Sequence, residues 1–294
     1  MSYRIGIDLG GTKIESAVLD SEDNILFRER LLTESHLGSD HIVNQIRIIY
    51  KKAVSSIKSE PHTLGIGTPG SICSKTQLLR NSNTLCLNGL PLKKLVQKEL
   101  NKSLAIENDA NCFALAEARF GAGKNYNLVF GVIMGTGCGG GFVINKKLRI
   151  GPQHLSGEWG HSVINPTGYK CYCKKNGCLE NYISGGGLER IISDELGYKT
   201  SALNFLSQKK FNQKEKKILN NFYSYFGLAL SNVINIIDPD VIVLGGGLSN
   251  HSGLYEIGIK KVYDNIFSQF PNTPILQNEL GDSAGVIGAA IIGI

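Results

Sequence analysis

Apolar and polar residues alternate along the first stretch of the chain, as they do in a strand with one buried face. Residues 5–9 form one alternating run, Gly10-Gly11 interrupts it, and residues 15–19 resume it. A glycine pair between two such runs predicts two strands joined by a tight turn. An apolar run followed by glycines returns over residues 131–137. This repetition indicates a duplicated structural unit.

A second periodicity, in which apolar residues recur every three or four positions, predicts helices. One helix is predicted from Ile42, Ile46, Ile49 and Ala53. Further helices are predicted over residues 110–120, 222–237 and 284–292. Strands are predicted over residues 25–32, 64–67, 104–107, 142–144, 148–150 and 241–244. Strands that alternate with helices in this way are typical of an α/β fold.

The composition is that of an ordinary globular protein, with 294 residues, of which 42% are hydrophobic and 19% are charged. This length is sufficient for two domains, each with its own core. The formal charge of +6 comes from Lys and Arg interleaved with Asp and Glu. Such mixing indicates a solvated surface, so we expect no nucleic-acid partner. The densest basic run, residues 209–217, is predicted to lie on the outer face of a helix.

The chain has seven cysteines, no apolar run long enough to cross a bilayer and no recognisable signal peptide. Free thiols and a metal site are typical of a reducing compartment. We therefore expect a cytoplasmic protein that has no membrane partner.

Three glycine clusters each follow an apolar run, namely Gly10-Gly11-Thr12, Gly135-Thr136-Gly137 and Gly245-Gly246-Gly247. Each cluster alone is equally well explained as a tight turn. Together, at three strand ends, they predict a nucleotide site, because backbone N–H groups without a nearby Cβ can approach phosphate oxygens. None has the Walker or dinucleotide spacing. Asp8 is an acid within the apolar first run, next to the first cluster, and is a candidate ligand for Mg²⁺.

Residues 157–180 contain a dense set of metal ligands and carboxylates. The pattern His-x9-Cys-x-Cys-x4-Cys is formed by His161, Cys171, Cys173 and Cys178. A Cys3His set is a common tetrahedral Zn²⁺ shell, and three reduced thiols or a disulfide are the alternatives. Glu158 and Glu180 flank these ligands. Paired carboxylates beside an imidazole suit the hydroxyl groups of a sugar.

Asn108-Asp109 lies where the predicted strand 104–107 meets the predicted helix 110–120. An aspartate at such a junction is either a helix N-cap or a carboxylate available as a general base. The residues alone leave both interpretations open.

Taken together, these motifs resemble those of the ROK family of sugar kinases, within the actin-like ATPase superfamily. The resemblance extends over essentially the whole chain, through residues 6–13, 107–111, 135–137, 158–180 and 238–247. It implies an α/β, actin-like ATPase (ribonuclease H-like) fold in which two α/β domains flank a cleft.

The same resemblance implies the domain boundaries and the assembly. The small domain would comprise residues 1–109, with the C-terminal helix 284–294 packing back on it. The large domain would comprise residues 110–283 and would include a zinc loop at 157–180. A homodimer is also implied.

The resemblance further implies a role for each motif. Asp109 would be the general base that accepts the proton of a hexose 6-hydroxyl. The sugar would be bound by Gly70, Asn83, Asn108, Asp109, Glu158, His161 and Glu180. ATP and Mg²⁺ would be bound by Asp8, Gly10, Gly11, Thr12, Lys13, Gly135, Thr136, Gly137, Gly246 and Gly247. Lys13 is equally well explained as a surface lysine. His161 would contact both Zn²⁺ and the sugar.

Within the family the chain most resembles bacterial fructokinases that also accept mannose, through residues 68–72, 81–83, 87–89 and Trp159. An indole beside Glu158 would leave little room for an N-acetyl group, so we expect fructose or mannose to be preferred. The alternative is that Trp159 faces the core as ordinary packing. The enzyme alternatives are an N-acetylglucosamine or N-acetylmannosamine kinase and a glucokinase. The non-enzyme alternative is a sugar-sensing ROK repressor, which is disfavoured because no helix-turn-helix segment precedes the first strand.

Overall fold

The computed structural model of the protein describes residues 3–294. The chain forms two compact units. The first unit comprises residues 3–116, 148–156 and 282–294, and the second comprises residues 117–147 and 157–281. Among the described residues, no helix has both the length and the apolar character needed to cross a lipid bilayer.

The strands are, in chain order, β1 (Tyr3–Leu9), β2 (Lys13–Leu19), β3 (Ile25–Leu32), β4 (His62–Thr68), β5 (Ser71–Ile72), β6 (Leu79–Arg80), β7 (Ala105–Asn108), β8 (Leu128–Met134), β9 (Cys138–Ile144), β10 (Lys147–Leu148), β11 (Val241–Gly245) and β12 (Ile275–Gln277). The helices are α1 (Ser39–Ser56), α2 (Leu92–Leu100), α3 (Asp109–Phe120), α4 (Glu180–Ile183), α5 (Gly185–Leu196), α6 (Ala202–Leu206), α7 (Gln213–Ile237), α8 (Ile259–Tyr263) and α9 (Ala284–Ile292).

The two units contain five-stranded sheets with the same topology. The strand order is β3-β2-β1-β4-β7 in the first unit and β10-β9-β8-β11-β12 in the second. In the first sheet β3, β2 and β1 are antiparallel neighbours, and β4 and β7 continue the sheet in parallel from β1. In the second sheet β9 is antiparallel to β8, and β11 and β12 continue in parallel from β8. The duplication predicted from the repeated strand–glycine pattern is therefore present in the structure.

The core of the first unit follows the two periodicities of the sequence. The apolar residues of β1, Ile5, Ile7 and Leu9, are fully buried. Helix α1 packs on β2 and β3, and its buried residues are Ile42, Ile46, Ile49 and Ala53. These four residues are the ones whose spacing predicts the helix, because one face of a 3.6-residue period is apolar.

Helix α9 packs directly on β1 and β4 of the first unit. A Cβ added at Gly6 would lie 2.1 Å from the carbonyl oxygen of Val286, and one added at Gly65 would lie 2.0 Å from that of Ala289. Because no side chain separates the helix from the strands, the backbones approach closely. The small residues of α9 and the glycines of the strands therefore form one packed interface.

The structure differs from the sequence prediction at the start of the long helix α7. This helix begins at Gln213, where the side chain of Asn212 and that of Glu215 form a capping box. The prediction from apolar periodicity began later, because the first turns of α7 are largely exposed and polar. Lys209 and Lys210 precede the helix, so only the second part of the basic run lies on it.

A buried carboxylate stabilises the second unit where α3 ends. Glu117 is fully buried, and it accepts hydrogen bonds from the backbone N–H groups of Ala122 at 3.0 Å, Glu279 at 3.2 Å and Leu280 at 2.9 Å. It thereby ties the segment before α9 to the end of α3. Removing it would leave three backbone donors without an acceptor.

We expect Glu117→Ala to lower the free energy of unfolding by about 3 kcal/mol or more, since each unsatisfied buried donor costs roughly 1–3 kcal/mol. Denaturant titration of the purified variant measures this. Glu256→Ala, at an exposed glutamate of the same unit, is the control and should stay within about 0.5 kcal/mol of wild type. Equal stability of the two variants would contradict the assigned role.

Candidate functional site

Asp8 lies near the end of β1, in the centre of the first sheet. Its backbone is paired with Glu15 of β2 and Gly67 of β4. Burial, with smaller contributions from the carboxylates of Asp109 and Glu15, raises the pKa of Asp8 to about 7. Asp8 and Asp109 are therefore close enough to repel each other when ionised. A divalent cation would relieve this repulsion, and carboxylate oxygens are suitable ligands for Mg²⁺.

The turn of residues 10–13 begins two residues after Asp8 and is held by hydrogen bonds. The N–H group of Gly10 donates to the carbonyl of Lys13 at 2.9 Å. The buried Thr33 donates its N–H to the carbonyl of Thr12 at 2.9 Å and its hydroxyl to the carbonyl of Gly10 at 2.7 Å. Gly11, Thr12 and Lys13 remain exposed. The turn thus presents backbone donors and a cation to solvent, as a phosphate-binding turn requires.

Lys13 is also part of a charged cluster on the first unit. Its Nζ lies 3.9 Å from Asp282, and Arg30 Nη2 lies 3.8 Å from the same carboxylate. Arg30 and Arg28 both donate to Glu15, which is 2% exposed. Lys13 is therefore paired with an acid beside the turn and is 49% exposed at its side chain, so it is also a surface lysine.

At the Asn108-Asp109 junction, the two residues have different positions relative to helix α3. The side-chain oxygen of Asn108 accepts from the N–H groups of Ala110 at 2.9 Å and Asn111 at 3.3 Å, so Asn108 caps α3. The Asp109 carboxylate accepts from Ala110 at 2.9 Å and is partly exposed. Because Asn108 already occupies the capping position, Asp109 is the first residue of the helix, and the N-cap alternative applies to its neighbour.

A buried acid supports this junction. Glu107, 8% exposed, accepts from the backbone N–H of Asn108 at 2.8 Å and from the side-chain amide of Asn111 at 3.0 Å. Asn108 in turn donates its side-chain amide to the carbonyl of Gly70 at 3.0 Å. The orientation of Asn108 is therefore fixed by contacts that sequence periodicity does not reveal.

Two predicted sugar-binding residues of the first unit lie in different environments. Gly70 accepts a hydrogen bond from Asn108, as described above, and a Cβ added at Gly70 would lie 2.4 Å from the carbonyl oxygen of Arg80. Asn83 is exposed in the adjoining loop. That loop is held by Asn88, whose side chain accepts from Ser82 N–H at 2.9 Å and donates to the Ser82 carbonyl at 2.8 Å.

Two glycine clusters of the second unit lie at the carboxyl ends of neighbouring parallel strands. Residues 135–137 follow β8, and residues 246–247 follow β11, its partner. Gly246 has φ +79°, and a Cβ there would lie 2.5 Å from the carbonyl oxygen of Met134. Ligands of α/β sheets bind beyond the carboxyl ends of parallel strands. The structure thus brings these two clusters together at a position suited to a nucleotide.

The four predicted metal ligands converge in the second unit. One ligand atom from each of His161, Cys171, Cys173 and Cys178 lies within 4.8 Å of the others. Cys171 Sγ is 3.6 Å from His161 Nδ1, and Cys173 Sγ is 3.4 Å from Cys178 Sγ. All seven cysteines are free, so the disulfide alternative is not realised here.

These separations fit a tetrahedral zinc shell. Zn–S bonds of about 2.3 Å place two sulfur ligands roughly 3.8 Å apart on the edge of a tetrahedron. The loop that carries the thiols is closed by backbone bonds from Cys171 N–H to the Lys175 carbonyl at 2.8 Å and from Lys174 N–H to the Cys171 carbonyl at 3.0 Å. The donor set is therefore assembled as a closed Cys3His site.

The carboxylates that flank this cluster are also positioned by the second unit. Glu180 begins α4, and its Oε2 accepts from Cys138 N–H at 3.0 Å. Glu158 precedes the short 3-10 helix Trp159–His161 and is half-buried. Burial, followed by Glu180 and Glu158, raises the pKa of the Tyr172 hydroxyl. Tyr172 therefore lies within electrostatic range of both acids, although the sequence did not identify it as a site residue.

Trp159 lies in the core of the second unit. It is 7% exposed, its ring meets that of Phe130 edge-on with centroids 5.4 Å apart, and its indole N–H donates to the Gly139 carbonyl at 3.0 Å. Both its apolar body and its polar group are thus satisfied within the fold. The argument that this indole excludes an N-acetyl group from the sugar site is therefore not supported.

Comparison with known proteins agrees with the motifs. The sequence matches the ROK family over residues 4–294. It is 35% identical over 299 residues to an N-acetyl-D-glucosamine kinase of Haemophilus influenzae (strain 86-028NP), with 98% of each chain covered. The fold is similar to that of a ROK hexokinase from Thermus thermophilus, with a TM-score of 0.89, 26% identity and coverage of 99% of this chain and 97% of that chain.

A further solved structure is similar at comparable identity. It is a ROK family glucokinase from Streptomyces griseus in complex with glucose and AMPPNP, with a TM-score of 0.81, 28% identity and 99% of each chain covered. The chain therefore belongs to the ROK family. The predictions of a ROK sugar kinase and of an α/β fold of the actin-like ATPase class are confirmed.

Proposed function

We propose that the protein transfers the γ-phosphoryl group of ATP to the 6-hydroxyl of an N-acetylhexosamine, with N-acetyl-D-glucosamine as the preferred sugar. The main support is the 35% identity, along 98% of both chains, to an N-acetyl-D-glucosamine kinase. The comparisons favour this alternative over fructose. The buried position of Trp159 removes the steric argument against an N-acetyl group.

In the first unit, Asp109 is assigned the role of general base. It would accept the proton of the 6-hydroxyl as that oxygen attacks the γ-phosphorus, and its partial exposure leaves it accessible to a substrate. Binding of the sugar is assigned to Asn108, Gly70 and Asn83. The side chain of Asn108 accepts a capping hydrogen bond from Ala110 N–H and donates its amide N–H to the Gly70 carbonyl. These two hydrogen bonds fix the backbone from which Asp109 projects.

The residues around Asp8 are assigned to the nucleotide. Gly10, Gly11, Thr12 and Lys13 would bind phosphate oxygens, and Asp8 would hold Mg²⁺ directly or through water. When bound, Mg²⁺ neutralises negative charge on the phosphates. The raised pKa of Asp8 fits this assignment, because a bound cation would favour the ionised carboxylate that burial and Asp109 disfavour.

In the second unit, residues 135–137 are assigned to phosphate oxygens and Gly246 and Gly247 to the adenosine. Glu158, His161 and Glu180 are assigned to the sugar hydroxyls, since two carboxylates accept and an imidazole N–H donates. His161, Cys171, Cys173 and Cys178 would hold Zn²⁺. Four protein ligands close the shell, so the ion would order the loop without taking part in phosphoryl transfer.

A sugar panel tests the proposed substrate. We expect kcat/KM for N-acetyl-D-glucosamine to exceed that for fructose by about tenfold or more, because a site that contacts a polar substituent discriminates against sugars that lack it. ADP release would be measured with N-acetyl-D-glucosamine, N-acetyl-D-mannosamine, glucose, mannose and fructose. Reactions without sugar provide the blank.

The outcomes of the panel separate the alternatives. The highest efficiency with fructose or mannose would contradict the proposal and support a fructokinase. The highest efficiency with glucose would support a glucokinase. Absence of phosphorylation for every sugar in the panel would contradict the assignment of the reaction.

A further inference from the structure

The two nitrogens of His161 face different partners. Nδ1 lies 3.6 Å from Cys171 Sγ, on the side of the Cys3His cluster. Nε2 lies 2.9 Å from the hydroxyl of Tyr172. The two rings meet edge-on, with centroids 5.0 Å apart and an interplanar angle of 87°. The nitrogen that points away from the Cys3His cluster is therefore hydrogen-bonded to a side chain of the same loop.

The chemistry of imidazole determines the direction of this hydrogen bond. A ring nitrogen that ligates a metal carries no proton, so the other nitrogen carries it and donates. Nε2 would thus donate to the Tyr172 oxygen, whose own proton is left for an acceptor. Glu180 and Glu158 lie within electrostatic range of Tyr172. The phenolic oxygen thus occupies the hydrogen-bonding position on Nε2, where a bound sugar hydroxyl would also accept.

The ring of Tyr172 is largely exposed, although its neighbours in the chain belong to the Cys3His cluster. Tyr172 lies between Cys171 and Cys173, two residues of the metal cluster. Its side chain is 63% exposed, whereas Cys171 is buried. Rotation of the ring away from His161 would therefore leave both the core and the thiol ligands undisturbed.

We propose that the Tyr172 hydroxyl occupies the hydrogen-bonding position on His161 Nε2 that a sugar hydroxyl would take. Tyr172 is then a specificity-determining residue, because the incoming sugar must displace its side chain. This inference rests on the proposed assignment of His161 to the sugar. A sugar hydroxyl that reaches Nε2 exchanges one hydrogen bond for an equivalent one. A sugar that cannot reach it leaves the tyrosine in place and loses binding.

The test is Tyr172→Phe, which removes the competing hydroxyl and keeps the ring. We expect KM for N-acetyl-D-glucosamine to fall by about two- to tenfold, the effect of one hydrogen bond, while kcat changes by less than about twofold. The dissociation constant for N-acetyl-D-glucosamine, measured by calorimetry without ATP, should fall to the same extent. Bound zinc, measured by elemental analysis, should equal that of wild type.

Tyr198→Phe is the matched control, because it removes a hydroxyl that bonds Glu215 at 3.0 Å elsewhere in the second unit. It should leave both KM and the dissociation constant at wild-type values. A higher KM in Tyr172→Phe would show that the hydroxyl binds the sugar, and lower zinc content would show a structural role. Either result, or no change in affinity, overturns the inference. A wild-type enzyme without sugar kinase activity would instead contradict the proposed function itself.

Discussion

Replacement of Asp109 by Asn is expected to lower kcat for N-acetyl-D-glucosamine by about a hundredfold to ten-thousandfold, the usual effect of losing a general base. The amide cannot accept the proton of the sugar hydroxyl, although it keeps the shape of the side chain. The cap of α3 should persist, because Asn108 provides it. Steady-state kinetics of ADP release, with calorimetric binding of the sugar, measures both effects.

The control for this variant is Asp40→Asn, the same change in the first turn of another helix of the first unit, α1. It should retain wild-type kcat. Sugar affinity and thermal stability of Asp109→Asn should remain close to wild type, since the change is isosteric. Turnover of the Asp109→Asn protein near the wild-type rate would exclude Asp109 as the base.

Cys178→Ser is expected to remove most of the bound zinc and to weaken sugar binding. Cys178 is fully buried and its Sγ is 3.4 Å from that of Cys173. Substitution of a residue that only supports a metal ligand lowers metal affinity by roughly 10- to 100-fold, so loss of a ligand itself should lower it further. Because His161 belongs to the same cluster, disorder of the loop should also raise the dissociation constant for the sugar.

Elemental analysis of tag-free protein should find one zinc ion per wild-type chain and far less in Cys178→Ser. Cys86→Ser, at an exposed cysteine outside the cluster, controls for the substitution and should keep its zinc. Stoichiometric zinc in Cys178→Ser would contradict the assigned ligand. A metal-free wild-type protein with full sugar affinity would show that the metal and the sugar site are independent.

Local features of the fold and site are predictable because they depend on residues close in sequence. The spacing of Ile42, Ile46 and Ile49 predicts α1, since an apolar face recurs with the helical period. The repeated strand–glycine pattern predicts two sheets of one topology. The Cys3His spacing predicts ligands that do converge, because a short loop can close around one ion.

Other features depend on contacts between distant segments, which periodicity does not encode. The sequence allows Trp159 to be either a site residue or a core residue, and the tertiary structure buries it against Phe130. Glu117 has the pattern of an ordinary helix glutamate, yet it becomes a buried acceptor only when residues 279 and 280 reach it. Tyr172 acquires its place on His161 through the folding of the metal loop. The sequence by itself determined the class of fold, the family and the candidate ligands, whereas the tertiary structure decided which side chains are buried and which are available to a substrate. The physical reason is that burial and hydrogen bonding depend on which segments the packed fold brings together.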